Sequence, residues 1–259
     1  MLRRLGLFAL GLATLVWIAP ACALSLALPR LAATAGGVAE VSGALPVLPF
    51  GVRASHVHVA REGRALDLDE LRATWTPWHT RVEARVADGT LLFRGEGLRA
   101  QSGFLRLQDV ALESLEPLLG DTLAVRGKAD GIWRFGAQSS VEGSVSRGAI
   151  VLARAGSFEL PFAQLVVSAA REAPDAGWTV HFANVQGPPL SASAAGTIGA
   201  DGALALEGQV RELDEPVLSL FPLLRLPTGP LPLALGVEGS LAAPRLVARG
   251  TATQMGAGR

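Results

Sequence analysis

The 259-residue sequence predicts a mainly β protein: a long curved antiparallel sheet, forming an open groove or half-barrel, with one N-terminal apolar helix and one or two short helices. Three observations support this fold class. From about Phe50 onward, apolar and polar residues alternate with a period of two, as in strands with one buried and one hydrated face. Many of the 30 glycines fall inside these strands, which favours curvature and β-bulges. No stretch shows the strand–helix alternation of a parallel α/β fold.

The N-terminal apolar helix is predicted at residues 1–30, as a membrane anchor or a signal segment. Two arginines near its start precede the uncharged stretch Leu5–Pro29. A short basic end before an apolar run directs a chain to the export machinery. The rest of the chain is therefore expected outside the cytoplasmic membrane, first as a leader at residues 31–49 and then as a β-rich domain at residues 50–259.

Two fates of this apolar segment stay open. Leu5–Ala19 alone gives a helix of roughly 22 Å, which is short for a bilayer core of ~30 Å and typical of a cleaved signal peptide. Ala21-Cys22-Ala23 then supplies the small residues that signal peptidase accepts. A helix that continues through Pro20 to Leu28 gives about 36 Å, enough to span the bilayer with tilt. The first fate leaves a cleaved, exported protein, and the second a single-pass membrane protein.

Alternating segments and turn signals locate the strands of the β domain. Asp88-Gly89 and Asp201-Gly202 are typical hairpin turns, and each separates two such segments. The alternating segments are, in chain order, Val82–Val86, Thr90–Phe93, Val125–Phe135, Val141–Val145, Ile150–Leu152, Phe158–Phe162, Leu165–Ala169, Trp178–Phe182, Ala192–Ile198 and Leu204–Val210. Each buries one face and exposes the other, which favours antiparallel pairing.

Two short segments that resemble each other interrupt the strands. Leu112–Leu119 and Glu212–Leu220 each carry a proline and acidic residues where the first turn of a short helix would lie. Their spacing of about a hundred residues predicts a degenerate internal duplication, which relates residues 104–140 to residues 204–250.

Composition and motifs exclude several function classes. The 23 Lys and Arg residues balance 23 Asp and Glu residues, so no excess charge attracts nucleic acid. A single cysteine excludes an intrachain disulfide and a cysteine-rich metal site. The sequence has no Gly-x-Ser-x-Gly elbow, no phosphate-binding loop that opens a helix and no dinucleotide fingerprint. A non-enzymatic protein without catalytic residues or a cofactor is therefore expected.

The histidines form a pattern that a metal site could use. The candidate ligands are His56, His58, His79, His181, Asp67 and Asp69. The first two histidines lie two residues apart, so both project from the same face of a strand. This spacing is common by chance and no cysteine contributes. The sequence therefore favours surface or edge-strand histidines, and no metal site is predicted.

Large aromatic residues mark a candidate surface for a partner or for the groove. They are Trp75, Trp78, Trp133, Phe135 and Trp178. The segment Trp75-Thr76-Pro77-Trp78 stands out, because two indoles that flank a proline can anchor a sheet edge or contact a partner. The sequence favours structural packing as the role of these residues, with the partner or groove surface as the other role.

The order of these features resembles the N protein of type II, or general, secretion pathways, and more loosely the AsmA-like β-rich proteins of bacterial envelopes. After the basic start and the apolar segment, the likeness is carried by Phe104–Val110, Leu115–Leu119 and the closing Gly-x-Leu-x-x-Pro-x-Leu segment Gly239–Leu246. It covers about residues 3–250 and brings no functional residues with it. The resemblance implies one inner-membrane anchor and a periplasmic β domain.

The resemblance also implies a function. It points to a non-enzymatic accessory component of a type II secretion apparatus, whose sheet binds other secretion-machinery or envelope proteins. The alternative is an AsmA-like groove that binds or transfers lipid, with acyl chains along the apolar face. Both functions place the chain at the bacterial inner membrane with its bulk in the periplasm, and neither involves nucleic acid.

Overall fold

The computed structural model describes residues 25–26, 28–30, 33, 37–48, 50–61, 64–97, 100–115, 124–152, 158–188, 190–215, 231–240 and 243–249. Ser25, Leu26 and Leu28–Arg30 are helical, whereas residues 1–24 of the predicted anchor or signal segment lie outside the described residues. Within the described part of the chain, no helix is both long and apolar enough to cross a membrane.

The chain divides into two compact units, and the first comprises Met1–Gly120 and Arg134–Gly136. Its strands are β1 (Gly37–Ser42), β2 (Leu45–Val47), β3 (Gly51–Arg61), β4 (Arg64–Trp75), β5 (His79–Val86), β6 (Gly89–Glu96) and β7 (Ser102–Ala111). They pair antiparallel in the order β1-β3-β4-β5-β6-β7. The short β2 pairs with the start of β3, and β1 with its end.

The second unit comprises Asp121–Trp133 and Ala137–Arg259. Its strands are β8 (Ala124–Phe135, the last two residues belonging to the first unit), β9 (Ser139–Leu152), β10 (Phe158–Arg171), β11 (Trp178–Gln186), β12 (Leu190–Ile198), β13 (Ala203–Leu213), β14 (Leu233–Ser240) and β15 (Ala243–Ala248). They follow one another in the sheet in chain order. The predicted class, mainly β with an open antiparallel sheet and very little helix, is confirmed.

A β-bulge in β4 decides which side chains of the first unit are buried. Leu68 and Leu71 are three residues apart and would face opposite sides of a regular strand, yet both pack in one apolar cluster. The pairing of β4 with β5 shifts register after Asp69, and Glu70 adopts a φ of 49°. This extra residue reverses the alternation of side chains along β4. Leu71 is therefore buried, while Asp67 and Asp69 share the opposite, hydrated face.

The described core consists of small apolar clusters. The buried members are Ala54, Val57, Leu71 and Ala84 in the first cluster, Val86, Val110 and Leu115 in a second, both in the first unit, and Val210 and Leu233 in the second unit. Leu28 of the N-terminal helical residues packs against the first cluster. Leu115 belongs to a 3₁₀ turn, Leu112–Leu115, which forms where the first short helix is predicted and adds this side chain to the core.

Both predicted hairpins are present, one of them displaced by a residue. The β5–β6 loop is Ala87-Asp88, with Ala87 at a φ of 52°, and Gly89 already opens β6 opposite Val86. Between β12 and β13 the turn contains Gly202 at a φ of 82°. There the Asp201 carboxylate accepts a hydrogen bond from the backbone N–H of Ala203 at 3.0 Å, which fixes the turn.

The structure differs from the sequence prediction in four elements. The leader expected at residues 31–49 contains β1 and β2. The segment expected to begin a second helix at Glu212 starts within β13, which extends to Leu213, because its residues still pair with β12. Residues 216–220 of that helix lie outside the described residues. The two segments predicted between residues 141 and 152 form one continuous strand, β9, and the two predicted between residues 158 and 169 form another, β10.

Candidate functional site

The hydrated face of β3 and β4 brings two histidines and two aspartates together. His56 lies directly opposite Asp69, and His58 directly opposite Asp67. Because cross-strand partners and residues two apart share a face of a sheet, the four side chains form a two-by-two grid. The grid lies on the side of β4 opposite to Leu68 and Leu71, as the bulge requires.

The distances within this His–Asp cluster are those of direct contacts. His58 Nδ1 lies 2.6 Å from Asp67 Oδ1, and His56 Nδ1 lies 2.7 Å from Asp69 Oδ1. His56 Nε2 is 3.4 Å from Asp67 Oδ1, so Asp67 lies between both imidazoles. The two rings stack with their centroids 6.5 Å apart. The four side chains are 32% to 53% exposed, so ions in solution reach them.

Negative charge around His56 raises the pKa of its imidazole above the usual value of 6.5. The hydrogen bond to the Asp69 carboxylate is the largest cause of this increase, and desolvation, the second cause in size, opposes it. The charges of Asp69, Asp67 and Glu40 add to the increase in this pKa. Glu40 comes from β1, where it lies directly opposite His58. The cluster therefore stabilises a positive charge at this position of the sheet.

A row of arginines crosses the same unit beside the cluster. Arg53, Arg72, Glu83, Leu92 and Arg106 are successive cross-strand partners from β3 to β7. They line a depression of about 700 Å³. The guanidinium groups of the three arginines make no hydrogen bond or ion pair with other described residues. The depression is thus hydrated and rich in positive charge.

Two ion pairs border this depression. Arg81 pairs with Glu83, and Arg85 Nη1 lies 3.4 Å from Glu70 Oε1. All four side chains are between 40% and 61% exposed, so each pair contributes little to stability.

The sequence interpretation missed the row of arginines that lines this depression. Its members come from five strands and become neighbours only through the register of the sheet, which the sequence alone does not give.

The predicted aromatic residues are divided between the two units. Trp75, Trp78 and Phe135 belong to the first unit, and Trp133 and Trp178 to the second. Trp78 is 76% exposed in the turn after β4, and Trp133 is 43% exposed on β8. The other three are half-buried.

Phe135 and Trp178 each contact a specific side chain. Phe135 stacks on Phe93 with the ring centroids 5.6 Å apart. The guanidinium of Arg171 lies over the Trp178 ring, 5.1 Å from its centroid. These contacts favour the packing role for Phe135 and Trp178. Trp78 stays available to a partner.

The remaining histidines are not part of the cluster. His79 opens β5, where Nδ1 lies 3.1 Å from the Thr76 hydroxyl and its backbone N–H donates to that hydroxyl at 3.1 Å. It therefore closes the β4–β5 turn. His181 lies exposed on β11 of the second unit. The structure thus gathers four of the six candidate ligands.

Comparisons with known proteins add no relative to this picture. The chain matches no protein-family model, no curated protein and no solved structure.

Proposed function

We propose that the chain is a non-enzymatic accessory component of a type II secretion apparatus, which binds other envelope proteins by strand addition at β1. The exposed edge of β1 supports the binding mode. The choice of assembly rests on the sequence resemblance alone. In this proposal the N-terminal segment anchors the chain in the inner membrane and the β units lie in the periplasm.

The edge strand β1 carries one acidic residue, Glu40, but lacks the proline and the basic residues that protect many edge strands. Among the described strands it pairs on one side only, with β3. Its sequence, Gly-Val-Ala-Glu-Val-Ser, contains no proline and no basic residue. Val38 is 58% exposed. Such an edge offers unpaired N–H and C=O groups to an added strand, whose main chain supplies affinity while side chains supply selectivity.

The strand β15 provides a contrast within the second unit. It is paired with β14 alone among the described strands, but it carries Pro244 and Arg245. Proline removes a backbone donor and an edge charge opposes pairing. Val247 on this strand is 38% exposed, which makes it a matched control position for Val38.

The test compares Val38→Lys with Val247→Lys in a strain that lacks the chromosomal gene. A lysine on β1 adds an unpaired charge to the proposed interface, so we expect this variant to export a type II substrate no better than the deletion strain. Val247→Lys should restore export. Circular dichroism of both purified variants controls for folding. Normal export in the deletion strain would contradict the proposed assembly, and equal behaviour of the two variants would contradict the role of β1.

A lipid-binding function is the second candidate, favoured by the apolar face of the second unit. None of the residues of β12 is buried. Ala192 packs beside Val210 and Leu233 with its small side chain only half-buried. A surface of this kind accommodates acyl chains, and burial of each CH₂ contributes roughly 0.8 kcal/mol.

Mass spectrometry of the full chain purified from membranes tests this candidate. The variant Ala192→Glu places a charge on the apolar face, whereas Ser193→Glu alters the next residue of β12, which faces the other way. We expect co-purifying phospholipid in the wild type and in Ser193→Glu but not in Ala192→Glu. Wild-type protein without bound phospholipid would eliminate this function.

A further inference from the structure

We propose that His56, His58 and Asp67 bind one divalent transition-metal ion of the zinc class, and that Asp69 positions His56 for this role. The inference concerns the hydrated face of β3 and β4 in the first unit. It is independent of the proposed secretion function, because it follows from the donor atoms of the cluster alone.

The donor atoms are spaced as a metal ion needs them. One nitrogen of each histidine and one oxygen of Asp67 lie within 4.8 Å of one another. Bonds of about 2.0–2.2 Å in tetrahedral geometry place neighbouring ligand atoms about 3.3 Å apart. The 3.4 Å separation of His56 Nε2 and Asp67 Oδ1 already matches this value. His58 Nδ1, now 2.6 Å from the same carboxylate oxygen, has to move outward by less than 1 Å.

Asp69 supplies a second observation that points to a metal. It holds His56 by Nδ1 at 2.7 Å, which leaves Nε2 of the same ring toward Asp67. A histidine that ligates a metal commonly donates its other ring N–H to a carboxylate, which fixes the tautomer and the orientation of the ring. The arrangement of Asp69, His56 and the open Nε2 reproduces this relationship.

The charges around the site favour a cation. Asp67 and Asp69 contribute two carboxylates, and Glu40 faces His58 from the neighbouring strand. The positive Arg85 lies opposite Asp69 on β5, but its guanidinium makes an ion pair with Glu70. A bound dication therefore offsets repulsion among the three carboxylates.

The donor set also selects the class of metal. Two imidazoles and one carboxylate suit Zn²⁺, Cu²⁺, Ni²⁺ or Co²⁺, whereas Ca²⁺ and Mg²⁺ prefer oxygen ligands only. Three protein ligands leave the fourth position of a tetrahedral ion open. Because the ligands are 32% to 53% exposed, this position is accessible to water or to a group from a partner.

Calorimetric titration of the full-length, tag-free chain with Zn²⁺ after chelator treatment tests the site. We expect one Zn²⁺ per chain, and loss of binding in His56→Ala, His58→Ala and Asp67→Ala. The control variants His79→Ala and His181→Ala should bind as the wild type does. Titration with Co²⁺ gives a second readout, because a tetrahedral N₂O site produces an intense visible absorption band that the three ligand variants should lack.

The role of Asp69 is tested by two substitutions. Asp69→Asn should weaken Zn²⁺ binding about 10- to 100-fold without changing the stoichiometry. Asp69→Glu keeps a carboxylate and should recover part of this loss. Equal binding by Asp69→Asn and the wild type would contradict the positioning role. No Zn²⁺ bound by the wild type, or the same stoichiometry and affinity in His56→Ala, would overturn the site itself.

Discussion

The β3–β4 pair of the first unit and the β12–β13 pair of the second differ in chemistry although both are antiparallel neighbours. On the hydrated face of β3–β4, the cross-strand pairs are His56–Asp69 and His58–Asp67. Two comparable pairs of β12–β13 are Ser193–Gln209 and Ala195–Glu207. The second grid therefore has one carboxylate and no imidazole.

This difference shows that pairing alone does not make a site. Antiparallel register places four side chains within reach of each other in both pairs of strands. Of the two, only β3–β4 fills these positions with imidazoles that face carboxylates. The same contrast holds for the edges, because β1 carries neither proline nor basic residues whereas β15 carries Pro244 and Arg245. The first unit thus holds both the His–Asp cluster, for which we propose metal binding, and the edge strand β1, for which we propose strand addition.

The largest expected effect is a loss of stability in the second unit that leaves metal binding in the first unit unchanged. Phe162 in the second unit is 4% exposed and lies opposite Gly148, so its ring covers a position without a side chain. Phe162→Ala should lower the free energy of unfolding by about 3–5 kcal/mol in denaturant titrations. Zn²⁺ binding to the folded protein should not change, because all ligands lie in the first unit.

The matched control is Phe182→Ala in the same unit. Phe182 is 40% exposed, so its loss leaves a smaller cavity and a smaller change in stability. Equal destabilisation by the two substitutions would contradict the assignment of Phe162 to the core.

Substitutions at Glu70, in the β-bulge of β4, give the second-largest expected change in stability. Glu70 adopts a left-handed φ of 49°, a conformation that costs a non-glycine residue about 1–2 kcal/mol. Glu70→Gly should therefore raise the free energy of unfolding by up to about 1 kcal/mol, since it also removes the exposed ion pair with Arg85. Glu70→Val should lower it, because a β-branched residue tolerates this φ poorly. If Glu70→Val stabilised the protein, residue 70 would not adopt the left-handed φ on which the bulge depends.

The smallest effect concerns the protonation of the metal-free cluster. NMR titration should give His56 a pKa above 6.5, and Asp69→Asn should lower this pKa more than Asp67→Asn, because the Asp69 hydrogen bond is the main cause of the shift. A raised pKa means that the folded state binds the proton more tightly. The resulting stabilisation is complete below pH 6.5 and is lost as pH rises through the pKa of the folded state. An unchanged pKa in Asp69→Asn would contradict this hydrogen bond.

Part of this picture could be predicted from sequence. Period-two alternation predicts the class, and the spacing of His56 and His58 predicts that they share a face. The position of Asp67 and Asp69 opposite them requires the register of β3 on β4. The bulge at Glu70 depends in turn on pairing with β5, which no local pattern reveals. The sequence singles out Trp75 and Trp78, but it takes tertiary contacts to show that Trp178 packs under Arg171 whereas Trp78 is exposed.

Photo-crosslinking in cells tests the central claim, that the edge of β1 is the binding surface, most directly. A photoreactive residue replaces Val38 on β1 or, in the control, Val247 on β15, the exposed valines of these two strands. We expect a discrete adduct with an envelope protein from position 38 and none from position 247. Equal adducts from both positions, or an adduct from position 247 alone, would contradict the claim.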